Sequence, residues 1–340
     1  MRRILLVDDS KVLCSYVSAM LSRVPDTQVL RPVHDGLEAV RVALEQRPDV
    51  VLMDIQLPGQ SGLDAIRQIL AVRHMPIVVL SSYVDDPSRN LVFEALAAGA
   101  VDVLAKPRGM DAVAYESFRD RLLQAVDVAQ EARAPTAAAT PAAAPAPALE
   151  RSTRGVRLVA VGASTGGPAA LAQLLCQLPS PFPAPVVVAQ HILEGFDRSL
   201  ARWLASASGH DAALVEDGMV PAPGQVLVAP AQRDVEWVGG RLRVATASGR
   251  WRPSVDRLFH SVARGLGEEA IGIVLTGLGA DGAAGLAALR AAGARTYAQS
   301  AESCVVDGMP GSARQAGAVE QSAAPDRIGR MVRALAGVPA

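Results

Sequence analysis

The chain has 340 residues, of which 50% are hydrophobic and 20% are charged, a composition typical of globular proteins. At roughly 150 residues per domain, this length predicts two domains. The 33 basic and 34 acidic side chains leave a formal net charge of −1, which gives no argument for binding nucleic acid or an anionic membrane. No apolar run approaches the ~20 residues of a membrane span, and the N-terminus MRRILLVDDS lacks the apolar core of a signal peptide. We therefore expect a cytoplasmic protein without membrane insertion.

Strand-like apolar runs alternate with helix-like stretches through the first part of the chain. The predicted strands are Ile4–Val7, a weaker Val29–Pro32, Val50–Met53, Ile77–Leu80 and Val101–Leu104, and helical patterns cover Val12–Arg23, Gly36–Gln46 and Gly62–Arg73. This alternation predicts a (βα)5 domain, in which helices cover both faces of a parallel sheet.

Polar side chains follow the ends of these predicted strands. Asp8 and Asp9 follow the first strand, Asp54 the third, Ser81 the fourth and Lys106 the fifth. We expect them to meet at one edge of the sheet. Three carboxylates repel one another unless a cation binds them, and Mg²⁺ prefers such oxygen ligands. A lysine and a hydroxyl can both contact phosphoryl oxygens. The alternative for the Asp-Asp pair alone is that it caps the following helix.

The whole set resembles the receiver domain of two-component response regulators. The resemblance covers residues 1–125 and rests on the Asp-Asp pair, DIQLPG, Ser81-Ser82 and Lys106-Pro107. It implies a flavodoxin-like fold in which Asp54 accepts a phosphoryl group from a histidine kinase. It also implies that Asp8, Asp9 and Asp54 bind Mg²⁺, that Ser81 responds to the phosphoryl oxygen and that Lys106 contacts it. By the same resemblance, the peptide bond before Pro107 is expected to be cis.

The composition changes sharply between about Ala132 and Thr153, where ARAPTAAATPAAAPAPALERST contains almost only Ala, Pro and Thr. Repeated prolines remove backbone donors and favour an extended conformation. We therefore expect a receiver domain over residues 1–131, a semi-rigid linker over 132–154 and a second domain over 155–340.

Three strand-like segments of the second half end in polar residues that fit a catalytic triad. The segments VAVGASTGG, VVVAQH and IGIVLTGLGAD carry Ser164, His191 and Asp281. Short β-rich runs followed by glycines and helix-like stretches predict a doubly wound, mostly parallel α/β sheet. Ligands of such sheets bind at the carboxyl ends of the strands, where these three side chains would meet.

Each of the three residues also has another interpretation. The GASTG segment matches the G-x-S-x-G nucleophile elbow, but a glycine-rich turn can also bind phosphate, and Ser164 can also be a helix cap. The segment lacks the GxGxxG spacing and the lysine of a P-loop, and both absences count against a nucleotide-binding loop. His191 can be a structural histidine. Asp281 can cap a helix at Ala283–Ala292, a role it would combine with a triad only with difficulty. No histidine follows Asp281, so the chain order excludes an ordinary α/β-hydrolase.

The order Ser–His–Asp resembles the chemotaxis protein-glutamate methylesterase/glutaminase family. The resemblance spans about residues 155–335 and rests on GASTGG, QH, TGLGADG, RPSVDRLF and SCVVDGMP. It implies hydrolysis of glutamyl γ-methyl esters, and deamidation of glutamines, on the cytoplasmic helices of methyl-accepting chemotaxis receptors. Ser164 would be the nucleophile, His191 Nε2 would take its proton, and Asp281 would hold the imidazole.

The resemblance also assigns the oxyanion and substrate contacts to Thr165, Gly166 and Leu278. No metal is expected in the esterase chemistry, and Mg²⁺ belongs to the receiver. Asp307 and the loop Ala231-Gln232-Arg233-Asp234 depart from the family pattern and are expected to place charge near the substrate groove. We expect a monomer in which the receiver covers the Ser164 edge until Asp54 is phosphorylated.

Overall fold

The chain folds into two compact units, Met1–Ala134 and Pro135–Ala340, each described separately below. The computed structural model describes residues 1–82, 89–107, 112–131, 155–247, 249 and 251–338. The expected linker over 132–154 lies outside these residues, and the domain boundaries stay a prediction. Within the described ranges, no helix combines the length and apolar character needed to cross a bilayer.

The first unit is a five-stranded parallel sheet with alternating helices, as the sequence predicts. Its elements are β1 Arg2–Val7, α1 Lys11–Leu21, β2 Thr27–Val29, α2 Gly36–Gln46, β3 Val50–Asp54, α3 Gly62–Val72, β4 Ile77–Ser81, α4 Arg89–Ala97, β5 Asp102–Ala105 and α5 Ala112–Glu131. The strand order is β2-β1-β3-β4-β5, and every pairing is parallel. The (βα)5 prediction is confirmed.

Two local expectations in this unit are wrong. The weak second strand lies at Thr27–Val29 instead of Val29–Pro32, since Pro32 has no N–H to donate to the ladder. Within the described chain, the cis peptide bonds precede Pro181 and Pro253, and the bond before Pro107 is not among them. An X–Pro bond prefers the trans form unless its surroundings favour cis.

The second unit contains a seven-stranded parallel sheet and a small antiparallel hairpin. Its elements are β6 Leu158–Ala163, α6 Gly167–Leu175, β7 Val186–Gln190, α7 Asp197–Ser208, β8 Asp211–Leu214, β9 Gln225–Val228, β10 Arg233–Val238, β11 Arg241–Thr246, α8 Val255–Leu266, β12 Ala270–Val274, α9 Ala283–Ala291, β13 Arg295–Gln299, α10 Met309–Gln315, β14 Gln321–Ala323 and α11 Pro325–Leu335. The large sheet has the order β14-β13-β12-β6-β7-β9-β8, and β10 pairs with β11.

The three strands that carry the predicted triad lie together at the centre of this sheet. Every residue of β6, β7 and β12 is buried, as expected for strands covered on both faces. The chain runs outward from β6 through β7 and β9, and returns to β12 on the other side of β6. This reversal is a topological switch point, where ligands of open α/β sheets bind. The fold thus places the candidate site at the carboxyl ends of these three strands.

Candidate active site

Ser164 occupies a tight turn between β6 and α6. Its N–H donates to the Thr276 carbonyl at 3.0 Å, and its own carbonyl accepts from Gly167 N–H and Gln190 Nε2, both at 2.8 Å. Gly166 is the N-cap of α6 with φ 75°, a left-handed conformation that glycine adopts without strain, and no side chain caps this helix. Ser164 is therefore not a helix cap. Its backbone is fixed from both neighbouring strands.

His191 lies beside Ser164 because β6 and β7 pair in register up to their ends. Ala163 pairs with Gln190, and His191 N–H donates to the Ala163 carbonyl at 2.9 Å. The imidazole Nε2 lies 2.8 Å from an Asp281 carboxylate oxygen, and the side chain is 9% exposed. His191 Nδ1 is buried and has no hydrogen-bond partner in the described part of the chain.

The expectation that His191 Nε2 faces Ser164 is therefore wrong. Nε2 is bonded to Asp281, and Nδ1 is the ring nitrogen without a hydrogen-bond partner among the described residues. The strand order explains this, because Asp281 follows β12, on the far side of β6 from β7. Nε2 is the ring nitrogen farther from the backbone, so it reaches the carboxylate.

The Asp281 carboxylate also caps a helix, but not the helix that the sequence indicates. It accepts hydrogen bonds from Val255 N–H at 2.8 Å and Asp256 N–H at 2.9 Å in the first turn of α8, and from Ser254 Oγ at 3.4 Å. The N-cap of α9 is Gly282, without a side-chain cap. We expected that Asp281 could combine a capping role with a bond to His191 only with difficulty. This expectation is wrong, because one carboxylate offers about four lone-pair sites and can accept from both.

These contacts keep Asp281 ionised although it is only 6% exposed. Burial works to raise the pKa of Asp281, but hydrogen bonds from His191 and from the Asp256 and Val255 N–H groups outweigh burial and hold the pKa below its ordinary value. The α8 N-terminus adds a favourable dipole for negative charge. A buried carboxylate that stays charged can stabilise a positive imidazole.

The segment after β12 passes so close to Ser164 that residue 277 must be glycine. A Cβ on Gly277 would lie 2.5 Å from Ser164 Cβ and would also overlap Met309 Sδ. Thr276 ties this segment to the Ser164 turn, since its Oγ1 donates to the Thr165 carbonyl at 3.0 Å. Among the described residues, no group accepts a hydrogen bond from the N–H of Gly166 or of Leu278. Both amides are therefore available as hydrogen-bond donors.

Trp251 is a site residue that sequence reasoning missed. Its ring stacks on His191 with a centroid distance of 5.2 Å and an interplanar angle of 9°. The indole also lies against Gly279, where a Cβ would lie 2.8 Å from Cζ2. The one sequence signal was its position directly before the RPSVDRLF segment.

The two acidic residues expected near the substrate groove are both paired with arginines. Asp234 is completely buried, lies 2.9 Å from Arg257 Nη1 and accepts from Ser254 N–H at 2.8 Å. Asp307 forms an ion pair with Arg314. Within the loop 231–234, Asp234 is enclosed and fixes the start of α8 instead of presenting charge to a ligand, whereas Arg233 is exposed.

In the first unit, Lys106 joins two buried carboxylates at the carboxyl edge of the sheet. Its Nζ lies 2.7 Å from Asp8 and 2.8 Å from Asp54. The backbone carbonyl of Ser81, at the end of β4, accepts a hydrogen bond from the backbone N–H of Lys106 at 2.8 Å. Ser10, not the Asp-Asp pair, caps α1, since Ser10 Oγ accepts an α1 backbone N–H. The alternative interpretation of the acidic pair as a helix cap therefore does not hold.

The charges of this cluster suit a divalent cation. Carboxylate oxygens of Asp8, Asp9 and Asp54 all lie within 4.8 Å of one another, and Asp9 is exposed. Burial raises the pKa of Asp54, and Lys106 offsets only part of this effect. Burial works to lower the pKa of Lys106, but Asp54 and Asp8 outweigh it and raise the pKa. Hard oxygen donors with an open side fit Mg²⁺.

Known protein families match the sequence of each of the two units. A CheB methylesterase family profile matches residues 159–332, and a response regulator receiver domain profile matches residues 4–115. A protein-glutamate methylesterase/protein-glutamine glutaminase of Anaeromyxobacter dehalogenans is 43% identical and covers 96% of this chain and 97% of its own. One from Caulobacter vibrioides is 39% identical and covers 98% of both chains.

The solved CheB methylesterase catalytic domain of Thermotoga maritima is 33% identical, with a TM-score of 0.50 over 53% of this chain and 98% of that chain. This likeness falls on the unit that carries Ser164, His191 and Asp281. The chain therefore belongs to the protein-glutamate methylesterase/protein-glutamine glutaminase family, with a response regulator receiver domain at its N-terminus.

Proposed function

We propose that this chain hydrolyses glutamyl γ-methyl esters, and deamidates glutamines, on cytoplasmic helices of chemotaxis receptors. The observation that carries the proposal is the bond between His191 Nε2 and Asp281, beside Ser164 at the switch point of the sheet. Relatives that align over nearly the full chain carry these two activities in their names. We place the reaction in the cytoplasm, where such receptor helices are accessible.

The reaction begins with proton transfer from Ser164. With its proton on Nε2, His191 donates to Asp281 and presents Nδ1 as the base. Ser164 Oγ attacks the ester carbonyl as Nδ1 takes the hydroxyl proton, and Asp281 stabilises the imidazolium that forms. The N–H groups of Gly166 and Leu278, with the Thr165 turn, would bind the oxyanion.

The leaving group then departs and water completes the cycle. His191 Nδ1–H gives its proton to the methoxy oxygen, so methanol leaves and a glutamyl ester of Ser164 remains. His191 Nδ1 next takes a proton from water as the water oxygen attacks this ester. The imidazolium then gives that proton to Ser164 Oγ as the ester bond breaks, which releases the free glutamyl carboxylate and restores the Ser164 hydroxyl. A primary amide follows the same route and releases ammonia, which converts glutamine to glutamate.

The receiver would regulate this activity through Asp54. An Asp54 carboxylate oxygen would accept a phosphoryl group from a histidine kinase, and Lys106 and Ser81 would contact the phosphoryl oxygens. Mg²⁺ held by Asp8, Asp9 and Asp54 supplies charge neutralisation when it is bound. Phosphorylation would shift the balance between a less active and a more active state of the enzyme.

The test is methanol release from a methylated receptor cytoplasmic fragment by the full chain. We expect release by the unmodified protein and a faster rate when acetyl phosphate and Mg²⁺ are added. Asp54→Asn should keep the basal rate and lose the acceleration, whereas Asp64→Asn, at an exposed carboxylate of α3, should keep both. No methanol from any methylated receptor would contradict the proposal, and acceleration in Asp54→Asn would contradict the phosphorylation site.

A further inference from the structure

The indole of Trp251 covers one face of the imidazole that the proposed reaction charges. The ring centroids are 5.2 Å apart and the planes differ by 9°, which is an offset stack. The Asp281 hydrogen bond fixes one ring atom of His191 but leaves rotation about that contact. A flat surface parallel to the ring removes this rotation. Asp281 and Trp251 together therefore define the direction in which Nδ1 points.

The position of Trp251 is itself determined by its contacts. The indole packs against Gly279, where even one added carbon would lie 2.8 Å from Cζ2. Gly279 follows Leu278, whose N–H is a proposed oxyanion donor. Trp251 thus contacts both the base and the loop that carries this donor, and the residue is partly buried. A side chain that only filled space would need no alignment with the imidazole plane.

The stack also has an electrostatic consequence that depends on the protonation of His191. An aromatic face attracts a cation, and the attraction is stronger when the cation is poorly solvated. The His191 side chain is only 9% exposed. The imidazole is neutral before the reaction and positive while Ser164 attacks. The indole face therefore favours the transition state over the bound substrate, which raises kcat and leaves KM nearly unchanged.

We propose that Trp251 is a positioning residue for the hydrolysis, acting through His191. Its indole face aligns the imidazole between Asp281 and Ser164 and stabilises the imidazolium formed in both half-reactions. This inference rests on the proposed function and adds a residue to it.

The test compares three variants of the full chain by methanol release. Trp251→Phe keeps an aromatic face, Trp251→Leu keeps apolar bulk without one, and Trp251→Ala keeps neither. We expect Trp251→Phe to retain kcat within about threefold, whereas the other two variants lose about 5- to 30-fold in kcat with KM within about twofold. Kinetics equal to the unmodified protein in Trp251→Leu, or a loss confined to KM, would overturn the proposal.

A spectroscopic measurement tests the stack without turnover. The ring current of a stacked indole shifts the His191 ring protons upfield in the ¹H NMR spectrum, and His191→Gln identifies the signals. We expect this shift to disappear in Trp251→Leu, and an unshifted signal in the unmodified protein would overturn the proposal. A different result would overturn the proposed function itself: no methanol release by the unmodified protein, or continued methanol release by Ser164→Ala.

Discussion

The contact between Gly277 and Ser164 predicts the effect of adding a single carbon. The backbone of Gly277 is not in the left-handed region, so alanine is conformationally allowed there. The Cβ of Gly277→Ala would nevertheless lie 2.5 Å from Ser164 Cβ, whereas ordinary contacts begin at 3.4 Å. The Ser164 turn is bonded to both neighbouring strands and cannot yield freely. The two segments must therefore separate by about 0.9 Å.

A displacement of this size is large for a reacting atom. A misplacement of about 1 Å costs on the order of 100-fold in rate, and overpacking a core costs about 1–3 kcal/mol in stability. We expect Gly277→Ala to reduce kcat/KM for methanol release by about 100-fold. We also expect the urea midpoint of the second unit to fall.

The matched control is Gly311→Ala on α10, near the same segment. Its added carbon would have 3.4 Å to the nearest atom, Asp307 Oδ2, and alanine favours a helix over glycine by about 1 kcal/mol. Gly311→Ala should therefore keep both activity and stability. If Gly277→Ala turns over within twofold of the unmodified protein, the close approach to Ser164 does not exist as described.

Three further outcomes follow. Asp281→Asn leaves the imidazolium without a carboxylate, so kcat should fall by about 10³–10⁴-fold. The control Asp326→Asn, at an exposed carboxylate of α11, should stay active. Similar rates for both variants would contradict the role of Asp281. Burial raises the pKa of Asp54, so its ionisation costs folding free energy as pH rises from the unfolded value near 3.9 through the higher folded value. At neutral pH, the receiver of the Asp54→Asn variant should thus unfold at a higher urea concentration than the unmodified receiver. An unchanged or lower urea midpoint would show that this cost is absent. Deleting residues 1–131 should raise basal methanol release if the unphosphorylated receiver inhibits, and a folded fragment with unchanged activity would refute inhibition.

The strand ends were predictable from the sequence because they depend on local pattern. Apolar runs followed by glycines located Ser164 and the segment that ends at Asp281, and an apolar run that closes on a histidine located His191. The carboxylates of the receiver followed from the same reasoning. A parallel sheet places the carboxyl ends of its strands along one edge whatever the strand order, so a correct fold class was sufficient to put these residues on the same edge.

The contacts between these residues were not predictable, because they depend on which strands are neighbours. The position of β6 between β12 and β7 decides which nitrogen of His191 meets Asp281. The cap that Asp281 provides for α8 joins segments 26 residues apart. The stack of Trp251 on His191 joins segments that no periodicity relates. Tertiary packing determines all three contacts.

The most direct test of the central claim is methanol release by Ser164→Ala, measured beside Ser312→Ala on a methylated receptor fragment. Ser312 Oγ donates to the Gly279 carbonyl at 3.3 Å, so the control removes a hydroxyl from a segment that contacts the site. We predict that Ser164→Ala falls to the background rate while Ser312→Ala stays within a few-fold of the unmodified protein. Sustained turnover by Ser164→Ala would contradict the account.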